Sequence, residues 1–274
     1  MAKANLICIF IFFAFLSACT KKSNDTNVNF KNMVHLEYVP QAKWDGLAKK
    51  KIYFGHHSVG YNLIDGIKMH LAENPEINLN ISEGTDPTLF DHAIFAHSRN
   101  GQNSNPKSKI DAFVEKMDSG LGDRIDVAGF KYCYVDFHKN TDVNEIFNYY
   151  KSELKKLSDK YPNTKFIHFT IPLTVKKTGI KEFFKSIFKI GKGTSVERNK
   201  IRKTYNELLL KEYGGNQTVF DLATYESTYP DGNRLFSKKE IYSLIPEYSS
   251  DGRHLSEVGK YNIGGQLLLF LANL

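Results

Sequence analysis

Apolar positions recur along this chain in two alternating rhythms. Lys51 to Phe54 forms a short hydrophobic run that breaks at Gly55, and Val59, Leu63, Ile67 and Leu71 then follow at intervals of four. The first pattern predicts a strand and the second a single apolar stripe on a helix. Ile77 to Ile81 alternates apolar and polar residues, the mark of an edge strand with one face in water. Ala93 to His97 is a further apolar run, Ile110 to Met117 a short helix, and Phe130 to Phe137 a nearly unbroken apolar stretch that reads as a central strand. Asp142 to Tyr161 is amphipathic, with Val143, Ile146, Tyr149, Tyr150, Leu154 and Leu157 on one side, and Pro162-Asn163 ends it. Lys165 to Ile171 reads as another buried strand. Ser195 to Tyr213 is a helix closed by Gly214-Gly215, Val219 to Leu222 a last strand, and Glu257 to Leu271 a last helix. Strands alternating with helices predict an α/β fold on a parallel sheet. No internal repeat is present.

The two ends of the pattern differ from the middle. Lys3 followed by the apolar run Leu6 to Leu16 is too short to span a bilayer, which needs roughly 20 residues, and has the form of a signal peptide. It ends Leu16-Ser17-Ala18-Cys19, which resembles a bacterial lipobox. Residues 1–18 are therefore expected to be a lipoprotein signal, Cys19 the lipid attachment site, and 19–45 a flexible tether that opens on the polar stretch Thr20 to Asn32. Residues 46–274 are expected to form one domain. Cys8 leaves with such a signal and Cys19 is acylated, so Cys133 alone remains and no internal disulfide is expected.

Charge adds one feature. The 274-residue chain carries a net +7, and the stretch from Lys176 to Lys203 holds ten Lys or Arg. No aromatic or groove-reading motif accompanies that charge, so nucleic acid is not expected as a partner. Within it, the segment from Thr174 to Thr194 reads as a surface insertion. Phe183, Phe184, Ile187 and Phe188 share one face there, as a lid, a membrane contact or a satellite core.

The candidate chemistry sits at two loops. Ser58 lies in Gly55-His56-His57-Ser58-Val59-Gly60, where the first strand turns into a helix. Asp251 and His254 stand three residues apart just before the last helix. An activated serine needs a base to take its proton and a third group to orient that base, and these loops supply all three. Ser58 could instead be a plain helix N-cap. His56, His57, Asp251 and His254 also hold enough imidazole and carboxylate for a metal site, although adjacent histidines point in different directions.

The Asp-Gly-Arg-His-Leu-Ser-Glu-Val-Gly stretch from Asp251 to Gly259, with a serine after the first strand, resembles the SGNH/GDSL hydrolases over about Lys51 to Leu274. The resemblance implies a flavodoxin-like three-layer α/β/α sandwich on a mostly parallel sheet of about five strands. It also implies ester hydrolysis without metal or cofactor. Ser58 would be the nucleophile, His254 the base and Asp251 its orienting group. The oxyanion hole would take the N–H of Ser58, that of Gly101 and the Asn140 side chain. The family Gly-Asp-Ser is here Gly55-His56-His57-Ser58, and its glycine-x-asparagine block is matched only loosely by the stretch from Asp136 to Asp142.

The expected function is a serine esterase, a monomer anchored by lipid at the bacterial cell envelope, on the outer membrane. It would act on small-molecule or glycan esters such as an O-acetylated carbohydrate. Tyr225, Tyr229, Phe236, Tyr242 and Tyr248 could stack on sugar rings or simply pack. The alternatives are a glycan-binding lipoprotein without catalysis and a His/Asp metal site.

Overall fold

A computed structural model describes residues 34–188, 193–238 and 240–274. The expected signal segment, Cys19 and the first part of the tether lie outside the described residues. Six parallel strands form the central sheet: β1 (Lys51–His56), β2 (Ile81–Glu83), β3 (Ile94–Arg99), β4 (Val127–Phe130), β5 (Lys165–Phe169) and β6 (Val219–Phe220), in the order β2-β3-β1-β4-β5-β6. Helices α1 (Gln41–Leu47), α2 (Val59–Glu73) and α8 (Glu257–Ala272) cover one face. Helices α3 (Pro106–Lys116), α4 (Val143–Lys160) and α6 (Ser195–Tyr213) cover the other. The expected three-layer α/β/α sandwich is present, with one strand more than expected. Among the described residues, no helix is long and apolar enough to cross a membrane.

Strand residues alternate between the two cores, as the pleat requires. Ile52 and Phe54 enter the core under α2 and α8, while Tyr53 between them packs toward α3. Both faces are covered, which is why these strands are nearly continuous apolar runs.

The edge strand expected over Ile77 to Ile81 begins only at Ile81, and the sequence expectation fails in three further places. The apolar run from Phe130 to Phe137 is not a strand: β4 ends at Phe130. Beyond it Asp136 closes a turn, its N–H donating to the Cys133 carbonyl and its carboxylate accepting from the Cys133 N–H at 2.7 Å. Those residues are apolar because the loop is buried on all sides. Secondly, residues 34–45, expected in the tether, belong to the domain, since Leu36 and Trp44 are buried in the α2/α8 core. Finally, α7 (Leu222–Ser227) and the hairpin of β7 (Phe236–Lys238) and β8 (Ile241–Tyr242) lie in what the sequence marks only as a long connection. The aromatics there mostly pack: Tyr248 is fully buried, Tyr225 stacks on Phe220, and Phe236 lies against Tyr242.

Helix α5 (Ile180–Phe188) occupies the insertion. Its Phe183, Phe184, Ile187 and Phe188 are about half exposed or more, so the apolar face is no satellite core. The opposite side carries Glu182, whose carboxylate accepts from the Ser195 N–H at 2.8 Å and ties the helix to the start of α6.

Helices α2 and α8 touch at glycine. A Cβ added to Gly66 would stand 1.8 Å from the Lys260 carbonyl oxygen, and one on Gly264 would stand 2.6 Å from the Gly66 Cα. Both obstacles are backbone, so the helices would have to separate. Gly66→Ala is expected to lower unfolding free energy by about 3 kcal/mol, read by urea titration. Gly46→Ala, which meets nothing within 4 Å, should lose none and serves as the control.

Candidate active site

The chain leaves β1 for the far edge, returns through β3 and then winds the other way through β4, β5 and β6. Winding therefore reverses around β1 and β3, and in open α/β sheets a crevice forms outside the carboxyl ends of the strands at such a point. Ser58 follows β1 and Gly101 follows β3, so both stand at this crevice.

Ser58 is half-buried and begins α2, but its side chain makes no capping hydrogen bond. The hydroxyl is thus not committed to holding the helix. Other starts in the fold do use their side chains: Asp142 caps α4, Thr194 caps α6 and Ser256 caps α8.

The two histidines before Ser58 have separate structural tasks. His56 is buried with its Nε2 3.0 Å from His97 Nδ1, one ring donating and the other accepting. Its ring fills the space beside Gly60, where a Cβ would come within 2.2 Å of it. His57 Nε2 donates to the carbonyls of Gly101 at 2.8 Å and Asn100 at 3.1 Å. His57 therefore joins the serine turn to the loop after β3. Gly101 has φ of +63°, and a Cβ there would lie 2.5 Å from the Ser108 carbonyl oxygen, so only glycine fits. Among the described residues, neither the Ser58 N–H nor the Gly101 N–H has an acceptor.

Asp251 and His254 are bonded as a unit. Asp251 Oδ2 lies 2.8 Å from His254 Nδ1, and Oδ1 accepts the N–H groups of Arg253 and His254, both at 2.8 Å. Burial pushes the Asp251 carboxyl up, but hydrogen bonds from the His254 N–H, the His254 imidazole and the Arg253 N–H outweigh it and hold the pKa at about 2. An ionised Asp251 keeps the Nδ1 proton on His254, leaving Nε2 as an acceptor. That nitrogen faces the Tyr134 hydroxyl at 3.4 Å.

The two loops are tied together across the sequence. Asn62, one turn into α2, accepts the Leu255 N–H on Oδ1 at 3.1 Å, and the Asn62 N–H itself donates to the Ser58 carbonyl at 3.3 Å. The residue after His254 is thus held by the turn that Ser58 starts. No hydrogen bond joins Ser58 to His254 among the described residues. Asn140 lies exposed in the turn before α4, its N–H 3.4 Å from His138 Nδ1, and the group after β4 that reaches His254 is Tyr134.

Behind the crevice, Lys109 Nζ and Asp136 Oδ2 form a fully buried ion pair at 2.7 Å. Asp136 also accepts the N–H of Ser104, and so fastens the loop after β4 to the loop that carries Gly101. Tyr134, Asn62 and Lys109 are absent from the residues singled out in sequence, and His57 and Asp136 appear there without the loop contacts they make in the fold. Their roles depend on partners between 27 and 193 positions away, and no local pattern announces them.

Four groups considered for a metal are spread among three separate bonds. His56 turns to His97, His57 to two carbonyls, and His254 to Asp251. Among the described residues, no three His, Cys, Asp or Glu side chains gather around one point.

Buried imidazoles make the fold sensitive to acid. Burial, followed by the charge of Lys131, holds His56 down at about 2, and burial alone holds His168 at about 3. Both bind their protons more weakly folded than unfolded, where imidazole titrates near 6.5. Stability is therefore full above about pH 6.5 and falls as pH drops toward those folded values. Each is expected to remove about 2 kcal/mol between pH 6.5 and 5. Urea titrations at pH 7.5 and 5.0 read this loss. The difference between them should shrink by about 2 kcal/mol in His168→Gln, and an unchanged difference would contradict it.

No family model and no curated protein matches the sequence. Among solved structures, the chain is similar to a Streptococcus pneumonia protein provisionally described as a platelet activating factor. The identity is 18% over 84% of this chain and 90% of that one, with a TM-score of 0.48. It is also similar to the periplasmic domain of a lipopolysaccharide acetyltransferase from Salmonella ser. Paratyphi A, at 13% identity over 80% and 84% of the two chains, TM-score 0.45. A third is provisionally described as a lipolytic protein of the G-D-S-L family, from Desulfitobacterium hafniense DCB-2, at 10% identity over 82% and 98%, TM-score 0.42. Likenesses this distant assign no function, which has to come from the site itself.

Proposed function

We propose that the chain is a serine esterase of SGNH/GDSL type, with Ser58 as nucleophile, His254 as base and Asp251 as the group that orients it. The observation that carries this reading is the Asp251–His254 bond. It leaves Nε2 as the accepting nitrogen, on a loop that Asn62 fastens to the helix Ser58 begins. Ser58, whose hydroxyl is not spent on capping, supports the same role.

In this mechanism His254 Nε2 takes the Ser58 proton as Oγ attacks the ester carbonyl. The same nitrogen then protonates the departing alcohol, and water, activated in turn by His254, releases the acid from Ser58. The N–H groups of Ser58 and Gly101 stabilise the oxyanion, each worth about 3 kcal/mol. Asn140 would join them only if the turn before α4 folds inward over a bound ester. No cofactor enters any step. Lipid anchoring at Cys19, a place at the cell envelope and an O-acetylated carbohydrate as substrate belong to the same proposal, on the strength of the lipobox-like sequence.

The test is hydrolysis of p-nitrophenyl acetate by the full chain, with labelling by a fluorophosphonate. Turnover together with labelling that disappears in Ser58→Ala supports the reading. Labelling that persists in Ser58→Ala would move the nucleophile elsewhere. A protein inert to both reagents would instead be a binding protein on this fold.

A further inference from the structure

A cleft of about 250 Å³ opens beside His254, lined by Tyr134, Thr174, Lys177, Arg198, Arg202 and Arg253 among others. Four of these are basic and no acidic residue lines it. Arg202 is 1% exposed, and its guanidinium donates to the Tyr134 carbonyl at 2.6 and 3.1 Å, to Asn199 Oδ1 at 2.5 Å and to Thr174 Oγ1 at 3.1 Å. All of these acceptors are neutral. Arg198 stands one turn before it on α6, and burial followed by that like charge depresses Arg202 to about 9. Among the described residues, no ion pair joins Lys177, Arg198, Arg202 or Arg253 to a carboxylate. Buried charge is costly unless it is compensated, and here the protein supplies no counter-charge at hydrogen-bond range.

The cleft is continuous with the proposed chemistry. Tyr134 is in its wall and puts its hydroxyl at His254 Nε2, the atom that would protonate the departing alcohol. Arg253 precedes His254 in the chain. A Cβ on Gly252 would lie 4.0 Å from Lys177 Cε, and the Val175 N–H donates to the Gly252 carbonyl at 3.0 Å, so the segment carrying Lys177 lies along the Asp251–His254 loop. A larger depression of about 520 Å³ between α6 and the β7–β8 hairpin differs in kind. It mixes lysines with Glu197, Glu207 and Glu240, and Lys203 is already paired with Glu207.

The geometry points to this cleft as a subsite for an oxyanion, a carboxylate or a phosphate, borne on the alcohol portion of the ester. The substrate class is then an acyl ester of an anionic alcohol. The inference rests on the esterase reading for its orientation, because the alcohol side is the side that His254 protonates. Arginine in the wall suits either group, since its planar fork matches both carboxylate and phosphate. Hydrolysis by the full chain yields the free acid and an anionic alcohol, with water as the only co-reactant.

The experiment compares phenyl acetates whose leaving group bears a carboxylate, a neutral ester or a phosphate at the para position: 4-acetoxybenzoate, its methyl ester, and 4-acetoxyphenyl phosphate. Each kcat/KM is divided by that ester's hydroxide-catalysed rate. The carboxylate or the phosphate ester is expected to exceed the neutral one by about tenfold or more, and the better of the two identifies the group. In Lys177→Gln/Arg198→Gln the ratio of anionic to neutral ester should fall close to one. A wild-type ratio near one, or a ratio untouched by the double substitution, would overturn the subsite. Calorimetric binding of 4-acetamidobenzoate against its N-methyl amide separates this from the esterase reading. No turnover with anion-selective binding that the double variant loses would sink the esterase and keep the subsite, whereas turnover without any anion preference would do the reverse.

Discussion

Ser58→Ala is expected to lower kcat/KM for p-nitrophenyl acetate by about 10⁴-fold or more, while leaving the urea midpoint nearly where it was. The combination is diagnostic because the two possible roles of this serine predict opposite results. A serine that caps a helix contributes about 1 kcal/mol of stability, lost on replacement by alanine. Ser58 starts α2 but makes no capping bond, so its replacement should cost less than about 0.5 kcal/mol. Ser256, which accepts the Gly259 N–H at 3.2 Å and caps α8, provides the contrast. Ser256→Ala should show the capping loss of about 1 kcal/mol. A Ser58→Ala protein that loses stability but keeps its hydrolysis would make Ser58 a structural residue after all.

The largest effect on stability is expected at the buried ion pair behind the crevice. Asp136→Ala leaves Lys109 fully buried without its partner and strips the acceptor from the Ser104 and Cys133 N–H groups. A loss of about 4 kcal/mol should follow, visible as a large drop in the urea midpoint. Lys109→Met combined with Asp136→Asn removes both charges and keeps an acceptor oxygen for one of those two N–H groups. That double variant should be more stable than Asp136→Ala, since the stranded charge and not the missing attraction dominates. A double variant no better than the single one would show that the backbone hydrogen bonds, rather than the charge pair, hold these loops. Ester turnover should fall with Asp136→Ala as well, because the loop it fastens carries Gly101.

Much of the layered architecture was legible in the pattern of residues. The helix starting after Ser58, the long amphipathic helix from Val143 to Lys160 and the final helix from Glu257 each emerge within a few residues of where periodicity places them. Such elements bury one face against a large sheet, so their apolar spacing is strongly constrained. The stretch from Phe130 to Phe137 looks like a strand because burial on every side produces the same apolar run whether the backbone is extended or turned. What decided between the two was Asp136, which a local pattern marks only as a polar residue in an apolar run. Residues 34–45 resemble a tether for a related reason: Leu36 and Trp44 are isolated apolar residues in a polar setting, and only the core they enter gives them weight.

The candidate site divides along the same line. Asp251 and His254 are close in sequence, so their spacing already permits the bond that the structure forms, and an unusual turn around Ser58 was evident from its flanking glycines. The meaning of His56 and His57 was not, since one answers to His97 and the other to Gly101, about forty positions away. Nor could the chain order reveal that Arg202 and Arg253 would share one cleft with Tyr134. Short-range hydrogen bonding and side-chain periodicity are properties of neighbouring residues, and these the linear order of the chain dictates. Which charges are left without partners, and which hydroxyl faces which imidazole, follows only from the sheet order and the close contact of α2 with α8, and so belongs to the folded molecule alone.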